Sequence, residues 1–334
     1  MTRLLVTGAA GFIGSNFVRR ALETAPHLRL IAYDALTYAG NLANLSDVLS
    51  DERLTFVRGD ICDSDQLDAL PQVDAIINFA AESHVDRSIM GSAEFVRTNI
   101  QGVHTLLEYA RRTNVSRLVQ VSTDEVYGSL GSTGKFTEES PLAPNSPYSA
   151  SKAAGDLLAR AYHETHKTPV IVTRCSNNYG PYQFPEKVIP LFITNRLQDL
   201  KVPLYGDGLN VRDWIHVQDH CDALLLVLDK GAPGVVYNIG GGCEITNLEL
   251  TREILRRLDS DESCIERVTD RPAHDRRYAV DFSRISSQLG WQPEIDFAEG
   301  LSATVDWYRR NEAWWRAVKD GQYLEYYNKQ YAQR

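Results

Sequence analysis

Short apolar runs and segments of helical length alternate along the first half of this 334-residue chain. The runs are apolar at consecutive positions, as in RLLVTG, LRLIAYD, LTFVRGD, AIINFAA, RLVQVST and PVIVTR. Helical patterns near residues 12–24, 94–112 and 149–166 lie among them. Strands that are apolar on both faces and separated by helices form a parallel sheet covered by helices on both sides. We therefore predict a doubly wound α/β fold.

The second half of the chain is less regular. From about residue 176 the pattern changes to loops rich in Pro, Gly and Tyr, as in NNYGPYQFPEK and VPLYGDGLNVRDW. We interpret these as a smaller, irregular α/β lobe that faces a ligand, and not as a second independent sheet. The predicted domains are a cofactor domain over 1–178 and a mainly substrate-binding domain over 179–334. Parts of about 212–240 and 278–300, including VVYNIG, are expected to return to the first domain.

Charge and cysteine content exclude several classes of protein. A net charge of -9 argues against nucleic acid or an anionic membrane as the main partner. The chain has no apolar stretch of about 18 residues and no signal-like N-terminal pattern. Its five cysteines are scattered without CxxC spacing, so we expect neither a disulfide framework nor a metal site. These features are typical of a cytoplasmic protein.

A glycine-rich turn follows the first predicted strand. In LLVTGAAGFIGSNF, Gly8, Gly11 and Gly14 lie between that strand and a helix. Glycine lets the backbone approach a pyrophosphate, whose charge is stabilised by the free N–H groups at the helix start. Asp34 ends the next strand, where a carboxylate binds ribose hydroxyls and repels a 2′-phosphate. The pattern indicates a Rossmann-type domain that binds NAD rather than NADP.

Two further features belong to the same prediction. Asp60 in VRGDI closes the third strand, where it either contacts the adenine side of the cofactor or simply caps a turn. Tyr148 and Lys152 in SPYSASKAAGD are four residues apart on a helix, so they share one face. An ammonium beside a phenol lowers the phenol pKa and lets it exchange protons with a substrate hydroxyl. Taken alone, this spacing also fits an ordinary surface pair.

An acidic pair follows the strand RLVQVST. Asp124 and Glu125 are adjacent in STDEVYG, which fits either a solvated loop or a buried acid–base pair. Burial and unequal neighbours can hold one carboxyl group protonated and the other ionised. Adjacent strand residues point to opposite faces, so a shared site requires a bend after Thr123.

Several motifs resemble a known family. TGAAGFIG and YSASK are similar to the extended short-chain dehydrogenases/reductases. STDEVYG, AAESHVDRSI, NNYGPYQFPEKVIP, YGDGLNVRDWIHV and DRPAHDRRYAVD resemble the dTDP-glucose 4,6-dehydratases within that family, over about residues 1–300. The resemblance implies conversion of dTDP-glucose to dTDP-4-keto-6-deoxyglucose, by oxidation at C4, loss of water across C5 and C6, and reduction at C6 by the same hydride. It also implies a homodimer that pairs the helices over 94–112 and 149–166.

The resemblance assigns roles to five residues. It makes Glu125 the base that removes the C5 proton and Asp124 the acid that protonates the departing C6 hydroxyl. Tyr148 becomes the base for the C4 hydroxyl, and Lys152 lowers its pKa and holds the nicotinamide ribose. Thr123 is expected to hydrogen-bond the C4 oxygen. The residues expected to bind the cofactor are Gly8, Gly11, Phe12, Ile13, Gly14, Asp34, Asp60, Ile61, Ala80, Tyr148 and Lys152.

A nucleotide sugar also needs cationic donors for its diphosphate, and Arg is well matched to two phosphate oxygens. By resemblance the substrate-binding residues are Ser83, His84, Asn178, Lys187, Arg212, Asn247, Arg271 and His274. In DRPAHDRR the chain has Ala273 where the family pattern has glycine, so a positive φ there would carry strain. Charge and spacing are compatible with either thymine or uracil as the base.

Two other functions fit part of this pattern. A sugar-nucleotide 4-epimerase or a UDP-glucuronate decarboxylase needs the Tyr148 and Lys152 pair with NAD, but the Asp124 and Glu125 pair argues against both. A regulatory protein that binds NAD without turnover would keep the fold alone. The complete set of acid, base, tyrosine and lysine favours an enzyme.

Overall fold

The computed structural model describes residues 2–319 together with Tyr323, Tyr326, Tyr327 and Gln330. The other residues after 319, which belong to the predicted domain over 179–334, lie outside the described residues. The strands are β1 Thr2–Thr7, β2 Leu28–Asp34, β3 Leu54–Arg58, β4 Ala75–Asn78, β5 Arg117–Thr123, β6 Val170–Cys175, β7 Asn177–Tyr179, β8 Val202–Tyr205, β9 Val211–His216, β10 Val236–Ile239, β11 Glu244–Thr246 and β12 Ile265–Val268.

Helices follow most of these strands. The α-helices are α1 Phe12–Thr24, α2 Ser64–Asp68, α3 Val85–Met90, α4 Ala93–Val96, α5 Val103–Thr113, α6 Pro147–His166, α7 Val188–Arg196, α8 Val217–Lys230, α9 Asn247–Arg257, α10 Ser283–Leu289, α11 Phe297–Arg310 and α12 Glu312–Val318. The helix predicted near 94–112 is divided, because a π-helical segment over Arg97–Gly102 separates α4 from α5.

A seven-stranded sheet forms the centre of the molecule, in the order β10-β6-β5-β4-β1-β2-β3. All of its strand pairs are parallel. Leu4 and Val6 of β1 pack in one core with Phe17 of α1, whereas Leu5 packs in the opposite core with Leu106 of α5. Fully burying one such side chain contributes roughly 1.5–3 kcal/mol, so two apolar faces fix this strand between two helical layers. The predicted doubly wound fold is confirmed.

The second half of the chain forms a smaller lobe with two sheets of its own. One has three strands in the order β11-β9-β7, and the other pairs β12 with β8. The expectation that this lobe has no separate sheet is therefore wrong. Its strands have only three to six residues, so no alternation is visible in the sequence. The VVYNIG run forms β10, which joins the large sheet beside β6.

The start of α6 is defined by local sequence. Ser146 and Ser149 form a capping box, and Pro147 occupies the first turn, where it costs no hydrogen bond. Tyr148 and Lys152 therefore lie in the first two turns, at the end of α6 nearest the carboxyl edge of the sheet. Among the described residues, no helix is long and apolar enough to cross a membrane. All five cysteines fall within this part of the chain and are free thiols.

Candidate active site

A cavity of about 310 Å³ lies at the carboxyl ends of the central strands and extends to the second lobe. This is the position where doubly wound sheets bind ligands. The predicted residues on its wall are Gly8, Gly11, Phe12, Ile13, Gly14, Asp34, Asp60, Ile61, Ala80, Ser83, Thr123, Asp124, Glu125, Tyr148, Lys152, Asn178 and Lys187. His84, Arg212, Asn247, Arg271 and His274 lie outside the wall.

The glycine turn brings backbone very close to backbone. Gly8 has a φ of 66°, and a Cβ on Gly14 would lie 2.1 Å from the Gly8 carbonyl oxygen. Gly11 is the N-cap of α1 and offers no side-chain cap. The first N–H groups of α1 thus have no side-chain partner and meet the cavity, which suits an anionic group such as a pyrophosphate.

Asp34 follows this turn at the edge of the cavity. Its Oδ2 accepts from the Ala10 N–H at 2.8 Å and its Oδ1 from the Leu36 N–H at 2.8 Å. Burial raises the pKa of Asp34, and the two N–H donors oppose that shift. Each oxygen keeps a second lone pair for a hydroxyl donor. The carboxyl group therefore fits a ribose diol and disfavours an added phosphate.

Asp60 caps a turn and pairs with an arginine, and its contact with the adenine side of the cofactor stays a prediction. Its Oδ1 accepts from the Cys62 N–H at 2.9 Å, as a turn cap does, and its Oδ2 accepts from Arg97 at 2.6 Å. Burial raises its pKa, but these hydrogen bonds and the Arg97 charge outweigh burial and lower it overall. Asp60 and the neighbouring Ile61 nevertheless both line the cavity.

The acidic pair lies on a short 3-10 turn. Thr123 ends β5 in an extended conformation, and Asp124–Tyr127 turn immediately afterwards. The Thr123 hydroxyl accepts from the Glu125 N–H at 3.2 Å and donates to Asp124 Oδ1 at 3.2 Å. The bend that the sequence required after Thr123 is confirmed, and both acidic residues line the cavity.

The two acids have unequal surroundings. The pKa of Asp124 is raised well above its ordinary value, by burial first and then by the charges of Glu125 and Asp213. Burial also raises the pKa of Glu125, but cationic groups oppose it. Those cations are Arg271, Lys187 and Arg212. The pKa of both acids is raised, but the cations beside Glu125 oppose the shift there, so Glu125 ionises more readily than Asp124, which is the inequality that an acid–base pair needs.

Tyr148 and Lys152 lie beside this pair. Burial, followed by the Glu125 charge, raises the pKa of Tyr148 well above its ordinary value, and a hydrogen bond with Thr123 opposes the shift. The Lys152 ammonium donates to the Val121 carbonyl at 2.7 Å. In the protein without cofactor, burial and the Glu125 carboxylate thus raise the pKa of Tyr148, and the lowering effect of Lys152 stays a prediction.

Two residues on the substrate side of the cavity are held by buried partners. Lys187 donates to the Ser83 carbonyl at 2.7 Å. Asn178 Oδ1 lies 2.9 Å from Nδ1 of His220, and Asn178 Nδ2 donates to the Ser176 carbonyl at 3.0 Å. Burial lowers the pKa of His220 to about 3, so its ring is neutral and its Nδ1–H donates to Asn178. The Asn178 amide is therefore fixed in orientation.

Three of the predicted residues outside the wall still approach the site. Arg212 donates to the Asp275 carbonyl at 3.0 Å and lies 4.4 Å above the Tyr278 ring. The Nε of Arg271 is buried without a hydrogen-bond partner among the described residues. His274 Nδ1 lies 2.6 Å from Asp270. Arg212 and Arg271 form a second cationic layer behind the Glu125 carboxylate. Burial and these two arginines lower the pKa of His274 to about 4, so its ring adds no charge to that layer.

The other two do not reach the cavity. The His84 ring is buried, with Nε2 facing the Glu186 carbonyl at 3.4 Å and Nδ1 facing the Tyr326 hydroxyl at 3.4 Å. Asn247 begins α9, and its N–H donates to the Asn210 carbonyl at 2.9 Å. Ala273 has a φ of 52°, so the strain anticipated for alanine at this position is present.

Sequence reasoning missed a cluster on the wall beside Lys187. The Glu186 side chain is buried, lines the cavity and accepts from Arg87 Nε at 2.9 Å. The Arg87 guanidinium in turn lies 4.0 Å from the Tyr38 ring centre. These three residues come from distant parts of the chain, so no local pattern connects them. Only the motifs AAESHVDRSI and PEKVIP, which contain two of them, pointed to this region.

The glycine turn, the uncapped start of α1 and the carboxyl group of Asp34 fit a dinucleotide, and Tyr148 with Lys152 lies farther along the same cavity. This fold and site define the class of the short-chain dehydrogenases/reductases.

Residues 5–304 match the family model described as GDP-mannose 4,6 dehydratase, and the chain belongs to this family. A dTDP-glucose 4,6-dehydratase from Actinoplanes sp. is 53% identical over 319 residues, covering 94% of this chain and 99% of the relative. The crystal structure of DesIV, a dTDP-glucose 4,6-dehydratase from Streptomyces venezuelae with NAD bound, has a TM-score of 0.93 and 56% identity and covers 95% of this chain and 100% of that one. A UDP-glucose 4-epimerase from Thermotoga maritima is less similar, at 29% identity and a TM-score of 0.86, covering 93% of this chain and 100% of the epimerase chain. The resemblance inferred from the motifs is confirmed.

Proposed function

We propose that this protein converts dTDP-glucose to dTDP-4-keto-6-deoxyglucose with a recycled NAD. The observation that carries the proposal is the unequal pair at the end of β5, where Asp124 faces other carboxylates and Glu125 faces three cations. An epimerase has no step that requires such a pair. The names of the relatives supply the nucleotide and the sugar.

Gly8, Gly11 and Gly14 would hold the pyrophosphate of NAD, and Asp34 its adenosine ribose. NAD, when bound, supplies the acceptor and later the donor of one hydride and adds a positive charge to the crevice. That charge and the Lys152 ammonium would favour the Tyr148 phenolate, which would receive the proton of the C4 hydroxyl as that carbon is oxidised. The Thr123 hydroxyl, which already interacts with Tyr148, would hydrogen-bond the same oxygen.

The elimination step belongs to the acidic pair. A ketone at C4 makes the C5 proton acidic, and the ionised Glu125 would remove it. The neutral Asp124 would give its proton to the C6 hydroxyl, which leaves as water. With NAD supplying the hydride to C6, Glu125 would return its proton to C5, so the sugar would lose only water. The proton gained by Tyr148 replaces the one lost by Asp124 and restores the starting state.

The cationic layer around Glu125 would serve the diphosphate. Arg212, Arg271 and Lys187 all act on that carboxylate, so they lie within electrostatic reach of a nucleotide in the same site. Ser83 and Asn178 would contact the sugar and nucleotide from the wall. The substrate-binding roles of His84, Asn247 and His274 rest on family resemblance alone, and His84 and Asn247 would have to act from outside the cavity wall.

We also propose a homodimer in the cytoplasm, with a cofactor domain over 1–178 and a mainly substrate-binding domain over 179–334. Val96 of α4 and Leu157 of α6 support the dimer, because these large apolar side chains are 52% and 56% exposed on the helices expected to pair. Light scattering of the purified protein should give twice the chain mass, and Leu157→Lys should reduce it to one chain. A monomeric wild-type protein would contradict the dimer.

The proposed function is tested by incubating purified protein with dTDP-glucose or UDP-glucose, without added NAD. We expect a 4-keto-6-deoxy sugar from dTDP-glucose, because the cofactor is returned to its oxidised state in each cycle. A 4-epimer as the product, or no reaction even after NAD is added, would overturn the proposal.

A further inference from the structure

One buried arginine joins the two catalytic elements from below the cavity. Arg174 of β6 is 6% exposed, and its Nε donates to Asp156 Oδ2 at 2.9 Å. Asp156 lies on α6, four residues after Lys152 and eight after Tyr148, so the three residues occupy one helix face. The arginine therefore contacts α6 one turn beyond its lysine.

The other side of the same guanidinium contacts the acidic turn. Arg174 Nη1 donates to the Tyr127 hydroxyl at 2.9 Å, and that hydroxyl donates to Asn238 Oδ1 at 2.8 Å. Tyr127 is the last residue of the 3-10 turn that carries Asp124 and Glu125. Tyr127 is itself buried, so the turn is joined to β6 and β10 by hydrogen bonds that water does not reach.

The charged side chains of this group also compensate one another. Asp156 and Arg174 form an ion pair with side chains that are 1% and 7% exposed. Asp156 acts on Lys152 as well, where it opposes the effect of burial and favours the charged ammonium. The Asp156 carboxylate thus interacts with Arg174, which contacts the acidic turn, and with Lys152 of α6.

We propose that Arg174, Asp156 and Tyr127 are positioning residues that hold the acid–base turn in register with the Tyr148 and Lys152 helix. The inference rests on the proposed function, because oxidation would use α6 and elimination would use the turn on the same hexose. Reacting groups must keep their relative positions within a fraction of an ångström, and a 1 Å error costs up to about 100-fold in rate. The Arg174 guanidinium contacts both α6 and the Asp124–Tyr127 turn through buried hydrogen bonds, so it meets that requirement.

The first test is Tyr127→Phe, which removes only the hydroxyl bonded to Arg174 and Asn238 and keeps the ring stacked on Phe136. We expect C4 oxidation within about twofold of wild type and elimination slowed about tenfold or more. Enzyme-bound NADH should therefore accumulate during turnover, as followed by its near-ultraviolet absorbance. Tyr237→Phe is the matched control, because that buried hydroxyl on β10 bonds to Ala232 and Gln288, away from both catalytic elements.

A second measurement does not depend on activity. Amide hydrogen exchange of residues 124–127, followed by mass spectrometry without substrate, should be faster in Tyr127→Phe than in wild type and unchanged in Tyr237→Phe. A melting temperature for each variant separates local loosening from loss of the fold.

The second substitution, on the α6 side of Arg174, is Asp156→Asn, which removes the charge beside Lys152 while keeping the shape of the side chain. Here C4 oxidation should become the slow step, so NADH should not accumulate. If both variants slow oxidation and elimination equally, or if neither changes the NADH level while exchange over 124–127 stays at the wild-type rate, the positioning role is refuted. Those outcomes leave the proposed function intact, whereas failure of the wild-type protein to form the keto sugar refutes the function itself.

Discussion

Replacing Glu125 with Gln should separate the two halves of the reaction. The substitution keeps the shape of the side chain and removes the base, while Tyr148, Lys152 and the cofactor crevice keep their contacts. The Glu125 charge is also the second largest cause, after burial, of the raised pKa of Tyr148. Its removal should therefore lower that pKa, so C4 oxidation should not become slower.

The size of the effect follows from the role of the group. A positioned general base contributes about 10²- to 10⁴-fold in rate, which is roughly 3–5 kcal/mol of barrier. We expect turnover of Glu125→Gln to fall by at least about 100-fold. The KM for dTDP-glucose should not rise, because Arg212 and Arg271 lose a competing negative charge. Product formation is measured as the 4-keto sugar, and the first half as enzyme-bound NADH.

The matched control is Glu139→Gln, an acid that pairs with Arg284 at the surface. It should leave both halves of the reaction at the wild-type level. Turnover of Glu125→Gln within about threefold of wild type would refute the assignment of Glu125 as base, since a general base contributes about 100-fold or more. Equal loss of oxidation and elimination would show that the substitution damages the whole site and not the elimination step.

Three further substitutions test other parts of the structure. Gly14→Ala should abolish bound NAD, because its Cβ would lie 2.1 Å from the Gly8 carbonyl oxygen. The control Gly91→Ala, whose Cβ would have no atom within 4 Å, should retain NAD on gel filtration. Equal NAD content in the two variants would contradict this account of the turn. Ala273→Gly should raise the free energy of unfolding by about 0.5–1 kcal/mol in urea titrations, since it relieves a φ of 52°, and a loss of stability would contradict this. Burial lowers the pKa of His220 from 6.5 to about 3, so the folded state binds fewer protons than the unfolded chain between those values, and stability falls as pH falls below 6.5. Relative to His220→Gln, wild type should lose about 1.4 kcal/mol more per pH unit in that range, and parallel pH curves would refute a neutral buried ring.

The features that sequence predicts well are local or periodic. The glycine turn, Asp34 and the spacing of Tyr148 and Lys152 each depend on one strand end or one helix turn, and the structure brings all of them to the cavity. The alternation of apolar runs with helical segments likewise predicts the parallel sheet, because both faces of each strand must be buried.

The features that sequence does not predict depend on contacts between distant segments. The pKa of Tyr148 is set by its burial and by Glu125, which no helix pattern reports. Arg87 and Glu186 are 99 residues apart, yet form an ion pair whose buried carboxylate lines the cavity. The small sheets of the second lobe have strands too short for a periodic signal, and His84 is directed away from the cavity by its contacts with Glu186 and Tyr326.

The central claim is that α6 oxidises a hexose and the Asp124–Tyr127 turn eliminates water from the same hexose. The path of the C4 hydrogen tests this claim most directly. The protein is incubated with dTDP-glucose that carries deuterium at C4, and the product is analysed by mass spectrometry and NMR. The account predicts that the deuterium appears in the C6 methyl group, because the same hydride leaves C4 and returns to C6. Deuterium restored to C4, or lost to solvent with an unlabelled methyl group, would contradict it.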